Sequence, residues 1–183
     1  MQNKVKKTEA GFTLVEAVVV LVIIGLVLGS IFKVQEFIDN ARSDKFITTI
    51  QGLQGAYYAF HAIRGEFPGD INGDKRIEYD AVGQNDGTFF QDMFDAGVSY
   101  SAIPEMPLEG AGIFYANFLD LNTAPALNVG VIRGVTQLCA TLVEDKYARH
   151  LDSKLDDGIS NTGLIQSLSV YGTVNRHTVC YKL

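Results

Sequence analysis

At 183 residues and a formal charge of −6, the chain is long enough for one modest core and too acidic for a general nucleic-acid binder, which needs a basic stripe. The first eleven residues hold three lysines against one glutamate, so the remainder stands near −8. No tryptophan, low-complexity segment or internal repeat is found, and only two cysteines are present.

In chain order, Lys4, Lys6 and Lys7 against Glu9 form a short basic segment expected to stay in the cytoplasm, which places the rest of the chain outside. The twenty-one residues from Phe12 to Phe32 are apolar or small except for Glu16, the length of a membrane-crossing helix. Fifteen of them are Leu, Ile, Val or Phe. Each contributes roughly −0.3 to −0.6 kcal/mol to insertion against about +3 for one carboxylate, so insertion wins. An ionisable group inside a span is a functional residue by default, which singles out Glu16. After Ser30 no small-residue cleavage site follows, since Phe32, Lys33 and Val34 come next, so the anchor is expected to be retained.

Lys6-Lys7-Thr8-Glu9-Ala10-Gly11, followed by Phe12-Thr13-Leu14-Val15-Glu16 and the apolar run, resembles the precursor signature of type IV pilins and the pseudopilins of type II secretion. The resemblance implies that a membrane peptidase cuts after Gly11 and methylates the new amino terminus at Phe12. It also implies that Glu16 neutralises the amine of a neighbouring subunit during filament assembly. Its specific part is about the first thirty residues. The family's usual proline falls at Lys33, a departure from the commonest major-subunit pattern, and Gly25, Gly29 and Ser30 are there to supply flexibility instead.

Past the membrane, Phe46, Ile50, Leu53, Tyr57 and Phe60 step by four, three, four and three, an apolar seam expected to pack on the chain's own head. A helix from Phe12 to Arg64 would be about 80 Å long, of which about 30 Å serves the bilayer. Gly52 and Gly55 weaken the expectation of one unbroken rod, and Gly65 with Pro68-Gly69 gives the stop. Tyr57, Tyr58 and Phe60 read as packing rather than as a path for electron conduction.

Asp70, Asn72 and Asp74 alternate like the opening of a calcium loop, but Lys75 stands where such a loop needs glycine and Ala81 where it needs a bidentate glutamate. A chain of Asx turns, with Asn72-Gly73 and Asn85-Asp86-Gly87, is the favoured reading. Thr88, as a cap, precedes Phe89, Phe90, Met93 and Phe94, spaced for a short core helix ending near Gly97. Residues 113–119 and 129–132 read as strands separated by a loop with Pro125, and 135–151, with Leu138, Leu142, Tyr147 and Leu151, as helix. Residues 164–171 and 174–181 suit a closing hairpin through Gly172-Thr173.

Pro68-Gly69-Asp70 and the run from Leu151 to Gly158, ending in Asn161-Thr162-Gly163, are similar to motifs in a branch of prepilin-like proteins. In major pseudopilins an acidic loop ligates calcium, which makes Asp152, Asp156 and Asp157 candidate ligands beside Asp70, Asn72 and Asp74; helix termination and turns explain them equally. His61, His150 and His177 lie far apart without metalloprotease spacing and read as surface or stalk residues. No nucleophile elbow or phosphate-cradling loop occurs, so no enzymatic activity is expected.

The expected product is an α+β protein: a leader (1–11), a transmembrane and stalk helix (12–64), and an extracytoplasmic head with an antiparallel sheet (65–183). Cys139 and Cys180 are expected to pair in the oxidising compartment, closing a loop worth roughly 4 kcal/mol in the chain-entropy model. The expected partners are identical or related pilin subunits, a prepilin peptidase/methyltransferase, an inner-membrane assembly platform and, before assembly, the lipid bilayer of the bacterial inner membrane. No nucleic acid and no obligatory cofactor is expected, with calcium as the one candidate ion. The alternatives are a minor pseudopilin and a non-polymerising, membrane-anchored head that binds through calcium.

Overall fold

The computed structural model describes residues 11–77, 88–119, 121 and 131–183. The chain divides into two compact units, Met1–Ala41 and Arg42–Leu183, and helix α1 (Leu14–Arg64) contributes to both. Thr13 and Glu16 form a capping box at its start: the Thr13 amide donates to Glu16 Oε2 at 3.0 Å, and the Glu16 amide donates to Thr13 Oγ1 at 3.3 Å. No proline interrupts the helix, and it passes through Gly52 and Gly55 unbroken; both sit on its exposed side. At Gly65 the backbone turns left-handed (φ 74°) while its N–H closes on His61 O at 2.8 Å, the conformation that ends a helix and that glycine adopts without strain.

In the first unit every large apolar side chain from Leu14 to Leu28 is exposed. The second unit holds the core. Helix residues Phe46, Ile50, Leu53, Tyr57 and Phe60 are buried, as the seam predicts. Phe46 stacks on Phe114 with ring centroids 6.0 Å apart, and Tyr57 stacks on Phe67 and Phe89 at 5.7 and 6.1 Å. Each buried ring contributes about 1.5–3 kcal/mol through area removed from water, so this seam anchors the helix to the head. Helix α2 (Thr88–Asp95) adds Phe89, Phe90 and Met93 to the core and ends before Gly97, but Phe94 points outward at 45% exposure.

The sheet is four-stranded and antiparallel throughout, with order β1-β2-β4-β3: β1 (Phe114–Phe118), β2 (Thr136–Glu144), β3 (Ile165–Ser167) and β4 (Arg176–Lys182). Helix α3 (Asp145–Leu155) follows β2 directly. Alternation along the strands gives the sheet two apolar faces. Phe114, Ala116, Leu138, Ala140, Val179, Tyr181 and Ile165 join the aromatic core with α1, while Tyr115, Cys139 and Cys180 pack with Ile132 in a second cluster.

The helix expected over 135–151 is a correction: its first part is β2 and its last part the opening of α3. An interior strand covered on both faces reads as a continuous apolar run, not an alternating one, and Gln137 to Thr141 are all buried. The four-residue step from Leu138 to Leu142 imitated a helix face. Leu142 in fact lies at a register shift between β2 and β4, with positive φ (54°) and 43% exposure. In the segment expected as a strand at 129–132, Val131 and Ile132 belong to no strand, and the remainder lies outside the described residues. The closing hairpin forms only in part: Ile165–Ser167 pair with Val179–Tyr181, but 168–175 are a connection and not strand, in place of the expected two-residue turn at Gly172-Thr173. His177, expected on the surface, is buried at 2% exposure because it occupies an interior strand.

Candidate functional site

Gly11, Phe12 and Thr13 precede the first helical turn and are exposed, Phe12 at 78%. Glu16 Oε2 accepts from both the amide and, at 2.8 Å, the hydroxyl of Thr13, which points the carboxylate back toward the start of the helix. The unsatisfied amides of a helix N-terminus favour a negative charge there, so sequence and helix polarity agree on where it sits. Neither group depends on cleavage, since hydrolysis of the Gly11–Phe12 bond would leave Thr13 an amide and a hydroxyl.

The two acidic segments are built differently. In the first, Asp70 Oδ1 accepts from Gly73 N–H at 2.7 Å and Asp74 N–H at 3.1 Å, and Oδ2 accepts from Lys75 N–H at 2.9 Å. Asn72 Oδ1 accepts from Asp74 N–H at 2.8 Å, and Asp74 Oδ1 from Arg76 N–H at 2.9 Å. Each oxygen used here folds its own backbone, the pattern of consecutive Asx turns. Glu78 to Gly87, with the rest of the loop motif, lie outside the described residues.

In the second, one carboxylate oxygen from each of Asp152, Asp156 and Asp157 lies within 4.8 Å of the others. Asp152 is fully buried; its Oδ1 accepts from Gly158 N–H at 2.9 Å and its Oδ2 from the Tyr171 hydroxyl at 2.7 Å. Burial is the main cause that raises the Asp152 carboxyl above its ordinary pKa, and the neighbouring Asp156 and Asp157 add to it. Asp156 Oδ2 accepts from the amides of Leu164 and Ile165, closing the loop onto β3. Asp157 accepts from Ile159 N–H at 2.8 Å and from the Thr162 hydroxyl at 2.6 Å, and the Thr162 bond first of all holds its carboxyl below the usual range. The donors are hard oxygens of the class calcium prefers, so these three residues would hold the ion, although each carboxylate already accepts a hydrogen bond. Asp70, Asn72 and Asp74 are not part of this cluster.

Sequence reasoning missed a buried polar chain. Ser167 Oγ lies 2.9 Å from His177 Nδ1, and His177 Nε2 lies 2.9 Å from Asp145 Oδ1. Burial opposes ionisation of Asp145, but hydrogen bonds from Gly172 N–H, Arg149 and His177 outweigh it and hold the carboxyl below its ordinary range. The residue types are those of a hydrolytic triad, yet Ser167 and His177 are buried and β3, β4 and α3 supply them as a brace. The chain ties the 168–175 connection to α3, and its nucleophile end at Ser167 is buried.

The family described as prokaryotic N-terminal methylation motif matches residues 6–32. Those residues are the type IV pilin/pseudopilin signature. No curated protein and no solved structure matches the chain. Proteins with the pilin signature are generally structural rather than enzymatic. The match spans the capping box and the apolar helix, which alone among the described helices is long and apolar enough to cross a membrane.

Proposed function

We propose that the chain is a structural subunit of a type IV pilus-like filament. Prepilin peptidase cuts it after Gly11, methylates Phe12, and leaves it in the bacterial inner membrane with its head outside until an assembly platform polymerises it with identical or related subunits. The observation that carries the reading is the coincidence of the signature at residues 6–32 with a helix whose apolar side chains from Leu14 to Leu28 are all exposed. Such a surface needs lipid or other helices around it.

Processing supplies the driving chemistry. Before cleavage the nitrogen of Phe12 is an uncharged amide; afterwards it is a cationic amine, and methylation keeps the charge. In a monomer the partner of Glu16 among the described residues is Thr13, whereas in a filament a neighbour's amine reaches it inside an apolar core. Breaking a buried charge pair costs a few kcal/mol, so pairing favours one register of assembly.

Sheared surface filaments, with mass spectrometry of the amino terminus, test this. Abundant chain beginning at methylated Phe12 supports the major-subunit reading. Trace amounts support a minor pseudopilin, which Lys33 in the usual proline position favours. Absence from the filament fraction supports the anchored head.

A further inference from the structure

Cys139 and Cys180 are paired in register across β2 and β4, joined by a disulfide, and fully buried on the sheet face opposite the α1 core. Among the described residues their cover is the segment Val131–Val135: Ile132 is buried against them with Tyr115, and Val131 and Val135 pack on the same cluster. This segment lies outside every strand, so its own ladder does not hold it down. Gln137 does. Its Oε1 accepts from Val131 N–H at 3.0 Å and Ile132 N–H at 2.9 Å, and its Nε2 donates to Ile132 O at 2.9 Å. The Gly134 amide, bonded to Leu119 O at 2.6 Å, and the single Leu119–Arg133 bridge are the further ties among the described residues. Gln137 is itself fully buried, and a buried amide is tolerated where its bonds are made; here three of them go to the cover.

We propose that Val131–Val135 is a strap, latched by Gln137, that gates thiol exchange at the Cys139–Cys180 disulfide. Exchange requires a thiolate to approach one Sγ in line and release the other. With both sulfurs covered, the strap has to lift first. The opening is local, because it breaks the Gln137 bonds and exposes the second cluster without disturbing the aromatic core on the other face.

The test uses the full chain in detergent micelles with dithiothreitol. One of its thiolates attacks a cystine sulfur, its second thiol then closes the ring, and the products are two cysteine thiols and oxidised dithiothreitol. Maleimide–polyethylene glycol labelling counts those thiols against time, at urea concentrations below the unfolding transition. Local opening exposes little surface, so the wild-type rate is expected to be flat in low urea. Gln137→Met should raise that flat rate about tenfold or more, the factor expected when buried hydrogen bonds are lost. Leu53→Ala, on the other face, should lower global stability yet change the low-urea rate by no more than about twofold. Should Gln137→Met fail to fold, Ile132→Ala, which removes the strap's buried side chain, carries the same expectation. An unchanged rate in the strap variants overturns the proposal. So does a wild-type rate that climbs steeply from zero urea, or one that rises in Leu53→Ala as global stability falls.

Discussion

From Leu14 to Leu28 the large apolar side chains are all exposed, whereas from Phe46 to Phe60 the same helix buries its apolar seam against its own sheet and second helix. The first stretch is apolar all round, which no single packing face can satisfy; the second keeps its apolar residues on one stripe, with small or polar ones and the half-exposed Tyr58 opposite. The head therefore settles its hydrophobic free energy within the chain, and the arm settles it outside.

The widest separation between the two is expected from Glu16→Leu. Expressed at wild-type level without the native copy, it should insert, lose nearly all filament, and leave the head's melting temperature unchanged; Glu16→Gln should still be inserted and cleaved. Wild-type filament numbers from Glu16→Leu would remove Glu16 from assembly. Phe46→Ala is the converse, expected to destabilise the head by about 3–5 kcal/mol in urea unfolding because it leaves a cavity against Phe114, with no effect on insertion. A loss under about 1 kcal/mol would mean that the helix is not anchored by this ring.

A smaller effect sharpens the head alone. Asp145 has a lowered folded-state pKa, so the stability it contributes is present above its unfolded value and is lost as pH falls through the folded one. The acid limb of a melting-temperature profile, below the ordinary carboxylate pKa near 3.8, should flatten in Asp145→Asn, and an unaltered limb would assign the acid response elsewhere. The smallest effect concerns calcium. The acidic oxygens already fold their own loops, so millimolar calcium is expected to leave the head's melting temperature within error. An ion that binds only the folded state would raise it, and a clear rise that Asp157→Asn abolishes would assign Asp152, Asp156 and Asp157 as its ligands.

What the sequence disclosed follows the range of the forces involved. The stop at Gly65, the short helix ending near Gly97 and the seam from Phe46 to Phe60 are local patterns and are readable as such. Strand β2 was not, because the aromatic core around α1 covers one of its faces and the cluster of Tyr115, Ile132 and Cys180 the other, and most of that cover comes from segments far from it in sequence. The Asp145–His177 contact spans 32 residues, and no local spacing announces it. The one available signal was the alternation in Arg176–Lys182, which turns His177 to the same side as Val179 and Tyr181. From Phe12 onward, by contrast, the signature and the apolar run are contiguous and readable, whereas the capping box of Thr13 and Glu16 went unread although its Thr-x-x-Glu spacing is local.

Strand β4 lies inside the sheet and not at its edge, although it follows the other three in the chain. A polypeptide terminated before Arg176 would lack the strand that holds β3 and one side of β2, and with it Cys180. Such a product displays raw backbone donors and acceptors on β2, an adhesive surface for other chains and an accessible one for proteases. It also carries Cys139 as an unpaired thiol, so one missing strand costs the head its ladder and its covalent tie together.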